Sequence, residues 1–209
     1  MPRTGRRPGL PDTRGQILQA AAAHFGASGY EATTLRKVAA DAGVDPALIR
    51  RFFGNKEGLF TQVAASVLRP EQAIAALLQG PRGRLGERLA RYFLGLLGDV
   101  HRPGPALVLI RPAVTSQHAA ALMRRFLASE VLARIAAALG ADHAELRAAL
   151  AASQVVGLAV ARSAVGLPPL VAASTEDLVA WVAPTLQRYF TGKAPAQAAG
   201  PVEGGVARS

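Results

Sequence analysis

Cysteine is missing from all 209 residues. Disulfides, thiolate-bound zinc and a cysteine nucleophile are therefore excluded before any pattern is read. Long apolar runs are missing too. ALVLI before Arg111 and VVGLAVA before Arg162 are the longest, and neither is long enough to cross a bilayer. The basic start MPRTGRRPGLPD has no apolar core behind it and does not read as a signal peptide. These absences lead to the expectation of a soluble, cytoplasmic chain with no membrane partner. No strand-like alternation and no internal repeat competes with helical spacing. His24, His101, His118 and His143 never fall at the i, i+3 or i, i+4 spacing that presents two ligands on one helix face. Gly157-Leu158-Ala159 lacks the strand before it and the lysine after it that a phosphate loop needs. No catalytic residue, metal site or cofactor is expected.

What is present is charge and helix punctuation. The formal net charge is +10, which suits a polyanionic partner. Nine basic and five acidic residues lie between Met1 and Phe60, so the excess is spread along the chain and argues only weakly for nucleic acid. The spacing of apolar residues predicts an all-α fold. Residues 1–11 read as a disordered basic arm, rich in Pro, Gly and Arg. Residues 12–54 read as a small helical unit, and 55–191 as a helical bundle. Residues 192–209 read as a disordered tail. Within the bundle, Asp142 and Thr175 are placed to cap helices. Gln117 to Leu139 reads as one long amphipathic helix, and Pro112 bends a short apolar one.

The segment TTLRKVAADAGVDPALIRRFFGNKEGLF carries the most information. Thr33 or Thr34 can cap a short helix whose Leu35, Val38 and Ala39 share a face. Gly43 can take the positive φ that ends it. Asp45-Pro46 opens a second short helix in the favoured order of capping acid and then proline. Ile49, Phe52 and Phe53 form its apolar side, and Asn55 caps the next helix. A short helix, a tight glycine turn and a second helix make a helix-turn-helix unit, the arrangement that sets a recognition helix in the major groove.

From Ile17 to Phe60 the chain resembles the tetracycline-repressor-like (TetR) family of transcriptional regulators. The matching parts are ILQAAAAHFGASGYEATT, TLRKVAADAGVDPALIRRFF and GNKEGLF. GLAVARSAVGLPPL and WVAPTLQRYF are similar to an actinobacterial-type subgroup. The resemblance implies a three-helix DNA-binding domain followed by a helical domain that dimerises and binds a ligand. It also implies a homodimer on double-stranded DNA with a palindromic operator, and a repressor released by an unknown small apolar effector. The implied DNA-binding residues are Thr33, Thr34, Arg36, Asp45, Ala47, Leu48, Arg50, Arg51 and Lys56; independently of the resemblance, Arg3, Arg6 and Arg7 are placed to reach an adjacent groove, as basic arms do. One departure stands out. Arg50 occupies the place of a family tyrosine that contacts phosphate.

In the bundle, Arg111 and Arg162 sit in strongly apolar segments, where a buried guanidinium needs a partner. They are candidates either for structural pairs or, with Phe93, Met123 and Phe126, for a ligand pocket. Small residues from Ala148 to Ala161, with the helix carrying Trp181, suit close packing across a two-fold axis. Two other classes remain: a ligand-sensing or enzymatic bundle with a vestigial DNA-binding unit, and a nonspecific basic protein of nucleoid or RNA.

Overall fold

Helix boundaries in the N-terminal third follow the local capping signals closely. The computed structural model describes residues 12–98 and 104–195, and every regular element among them is helical. The basic arm, His101 and residues 196–209 lie outside the described residues. The Asp12 side chain accepts from the Gly15 amide and starts α1 (Thr13–Ala32), which kinks at Gly29 with φ 80°. Thr34, not Thr33, caps α2 (Leu35–Asp41), accepting from the Lys37 amide. Gly43 takes φ 63° in the turn, a conformation open to glycine at little cost. Asp45 then caps α3 (Pro46–Phe53) by accepting from the Ala47 amide. Asn55 does the same for Gly58 at the start of α4 (Lys56–Leu68).

These helices close on one core. Ile17, Ala21, Phe25, Val38, Ala39, Ile49 and Leu59 are at most 1 % exposed. The Phe25 ring meets Phe60 edge-on at 5.1 Å and stacks on Tyr30 at 5.7 Å. Phe53 belongs to this core, but Phe52 does not. It is 45 % exposed, which corrects the expectation that both close the apolar side.

Arg69 turns the chain in the left-handed region, with φ 38°. Tyr92 donates to the Leu68 and Arg69 carbonyls there. The bundle then follows as α5 (Pro70–Leu78), α6 (Leu85–Leu97) and α7 (Leu107–Thr115), the last carrying Pro112. Ser116 caps α8 (Gln117–Phe126). It continues through a π-helical stretch, Leu127–Leu132, into α9 (Ala133–Leu139). Then come α10 (Ala144–Val160), prolonged as a π-helix over Ala161–Val165, α11 (Pro168–Ala172) and α12 (Thr175–Thr191).

Two capping expectations need correction. Asp142 caps nothing; its carboxylate accepts from Arg147 at 2.7 Å. Ser174 caps α12 in place of Thr175, and Asp177 returns the bond to complete a capping box. The tightest helix pair is α6 with α12. A Cβ on Gly86 would lie 2.2 Å from the Ala183 carbonyl oxygen, so only glycine permits this approach.

The Ala144–Val165 helix has 22 residues and contains an 18-residue stretch of mean hydropathy 1.5. By length and composition it is apolar enough to cross a bilayer, which uninterrupted runs did not reveal because Ser153, Gln154 and Arg162 break them. Its apolar residues point two ways. Ala148, Ala151 and Ala159 face the core, whereas Leu146, Leu150 and Val156 face outward.

Candidate nucleic-acid interface and regulatory cavity

Ile49 and Phe53 anchor α3 in the core. At 100° per residue, Ala47 and Arg51 fall opposite that anchor, with Leu48 beside them. Arg50 and Phe52 flank the outward face on either side. Ala47, Arg50, Arg51 and Phe52 are exposed, and Leu48 is half-buried. Asp45 stays on the helix start, its carboxylate held 2.7 Å from the Ala47 amide, where it positions the helix.

On α2, Thr34 and Arg36 are exposed, and so is Lys37, which the sequence reading omitted. Its position beside Arg36 on the same exposed turn was the available signal. Two expected DNA contacts are engaged within the chain. Thr33 is 1 % exposed, and its hydroxyl donates to the Gly29 carbonyl at 2.7 Å, which holds the α1 kink. The Lys56 ammonium turns back to the end of α1. It donates to the Glu31 carbonyl at 3.2 Å and lies 4.3 Å over the Tyr30 ring.

Polar side chains join this unit to the bundle. Ser116 donates to Glu31 at 2.7 Å, and His118 Nε2 lies 2.9 Å from Glu57 Oε1. His24 Nε2 lies 2.7 Å from Asp41 Oδ2, tying α1 to the end of α2. At the centre of the joint, burial pushes the Tyr30 phenol up to about 12, reinforced by the Glu57 and Glu31 carboxylates.

A pKa raised in the folded state means that the folded chain holds this proton more tightly. The contribution is whole below the unfolded value near pH 10 and is lost as pH rises toward about 12. Stability is expected to fall over that window on account of this group, by at most about 2–3 kcal/mol before solvent screening reduces it. Denaturant melts from pH 9 to 12 check this. Tyr30→Phe should flatten the profile, and an equally steep fall in that variant would assign the effect elsewhere.

Within the bundle lies a cavity of about 200 Å³. Phe93, Leu97, Met123, Val131, Ala151 and Val155 are among its lining, and among the described residues no charged or hydrogen-bonding side chain is. Leu68, the last residue of α4, also reaches it.

Of the five expected pocket residues, the structure brings Phe93 and Met123 to the cavity and corrects the other three. Phe126 faces an outer groove with Thr61 and Arg69. Arg111 is exposed and donates to the Ala27 carbonyl, stapling α7 to α1. Arg162 is 6 % exposed and donates to the Gly98 and Ala173 carbonyls at 3.0 and 3.1 Å. It is a structural tie between segments distant in sequence. Arg147 plays a similar part, donating to the Asp142 and Tyr189 carbonyls at 2.7 Å each.

Comparison with known proteins bears on both features. A family model described as bacterial regulatory proteins of the tetR family matches residues 17–63. A second, described as the tetracyclin repressor-like C-terminal domain, matches residues 83–190. The HTH-type transcriptional regulator BetI of Rhizobium meliloti (strain 1021) is 31 % identical over 189 residues, covering 86 % of this chain and 92 % of that protein. A TetR-family regulator of Streptomyces coelicolor A3 is 36 % identical, covers 90 % of this chain and 99 % of its own, and superposes with TM-score 0.60. The fatty acid degradation regulator FadR of Bacillus halodurans shares the fold at 17 % identity and TM-score 0.65, over 87 % of this chain and all of that one (100 %).

Proposed function

Because this chain belongs to the TetR family of DNA-binding transcriptional regulators, we propose that it is a cytoplasmic homodimeric repressor. It grips a palindromic operator with α3 of each copy and releases it when an uncharged apolar molecule fills the cavity. We divide the chain after residue 54, with α4 opening the effector domain.

The observation that carries this reading is the construction of α3. One side is locked into the core by Ile49 and Phe53, and the other offers Arg50 and Arg51 to solvent. Exposed Thr34, Arg36 and Lys37 on α2 supply backbone contacts beside it. In the dimer, the two recognition helices sit about 34–36 Å apart, one turn of DNA. The outward Leu146, Leu150, Val156 and Trp181 supply the apolar surface for the second copy.

The cavity lining supports a neutral, hydrocarbon-like effector, because a charged ligand would lose its hydration there with nothing to replace it. The α4 helix touches both ends of the system: Glu57 at the joint with His118, and Leu68 at the cavity. An effector shifts DNA binding only by its preference for the DNA-incompetent state, typically about 1–3 kcal/mol.

Selection of bound fragments from random duplex DNA, followed by Arg36→Ala, Arg50→Ala and Arg51→Ala, tests the reading. An inverted repeat is expected. Arg51→Ala should flatten its preference by roughly tenfold per half-site with the salt slope unchanged, as expected for a guanine reader. Arg50→Ala should weaken every duplex and make the salt slope shallower by about one unit. Repeating the titration with 1-decanol, an uncharged chain, should lower operator affinity. Equal affinity for all duplexes would overturn the operator reading, and indifference to apolar additives would overturn the sensor.

A further inference from the structure

Phe52 is the residue that the fold leaves unexplained. It is 45 % exposed while its neighbour Phe53 is 7 % exposed. Their rings meet at 6.0 Å and 61°, a contact at the edge of the core. The other large exposed apolar side chains from Leu146 to Trp181 lie on the bundle. Phe52 instead stands at the end of the helix that presents Arg51.

Helical spacing sets Leu48 and Phe52 four residues apart, one above the other along a single edge of the outward face. That edge is apolar, and phosphate offers nothing to it. The major groove offers one apolar group, the C5-methyl of thymine, and that methyl accepts apolar side chains. On the reading that α3 docks in the major groove, we propose that Phe52, with Leu48 behind it, is a specificity-determining residue that packs on a thymine methyl in each half-site. The thymine lies about one or two base pairs from the base read by Arg51, since adjacent helical residues advance less than half a base-pair step.

Removal of that methyl alone tests the assignment. Each thymine of the selected operator is replaced in turn by deoxyuridine, and affinity is measured for the unaltered protein and for Phe52→Ala. Phe52→Leu serves as a conservative control, and thermal melting confirms that both variants fold. One thymine per half-site should matter, with its methyl worth roughly fourfold in affinity and roughly fifteenfold when both half-sites are changed. Phe52→Ala should bind the thymine and deoxyuridine operators equally, and Phe52→Leu should keep part of the difference. If the operator is bound but every deoxyuridine swap is neutral, the assignment is overturned. The same holds if the swap still matters equally in Phe52→Ala. If no duplex is enriched at all, the docking of α3 itself fails, and the assignment falls with it.

Discussion

Gly157→Arg is expected to give a folded monomer that has lost its operator. Gly157 lies on the exposed side of α10, and a Cβ built there meets no atom within 4 Å. The isolated chain therefore has room for any side chain, and replacing a helical glycine gains up to about 1 kcal/mol in helix propensity. The surroundings are apolar and open. Gly157 borders a groove between α10 and α12 that includes Leu158, Ala161, Leu170 and Trp181, and Trp181 is 82 % exposed. A guanidinium inserted there in both copies would be stripped of water beside its own image, and Asp177 on the groove lining is already engaged with Ser174. Losing the second half-site converts bivalent into monovalent binding, a loss of about 10²–10⁴ in affinity. Light scattering and operator titration, with a thermal melt alongside, check the three parts. A dimer of unchanged affinity would place the two-fold axis on another face.

The second large effect is on stability. Arg162→Met keeps the aliphatic volume but removes the donors to the Gly98 and Ala173 carbonyls. Both acceptors are then left without their partner, at about 1–3 kcal/mol each. For a chain of this size each kcal/mol moves the melting temperature by about 2–4 °C, so a fall of roughly 4–24 °C is expected. Arg111→Ala, on an exposed residue with one carbonyl partner, should move it far less. The contrast separates two roles for Arg162. As a tie it governs melting, whereas a ligand anchor would leave melting unchanged and abolish the effector response. Circular dichroism melts of the two variants decide between them.

The helix-turn-helix was legible because its signals are short-range. Thr34, Gly43, Asp45-Pro46 and Asn55 each act on a backbone group within a few residues, and such contacts are visible in a linear string. Adjacent like residues were harder. Phe52 and Phe53 differ by about 100° around α3, and only the position of α1 and α4 decides which one enters the core. Ser174 and Thr175 posed the same problem as neighbouring hydroxyls, settled by the returning bond from Asp177. The partners of Arg162 were out of reach because they are backbone carbonyls, which look alike in every residue. The cavity was only partly legible: Phe93 and Met123 were candidates for a pocket, but such residues more often fill a solid core. Whether facing side chains touch depends on how far apart the helices are set.

That cavity also has a mechanical consequence. About 200 Å³ of apolar space leaves its lining without neighbours on one side, so dispersion contacts are forgone there. The void disappears when the chain unfolds, so the empty protein shrinks on unfolding and is softened by compression. A molecule that fits the space removes the void and restores the missing dispersion contacts. On the reading that an effector fills this space, the form without it is the more compressible one, and the same volume sets how far the bundle yields under pressure.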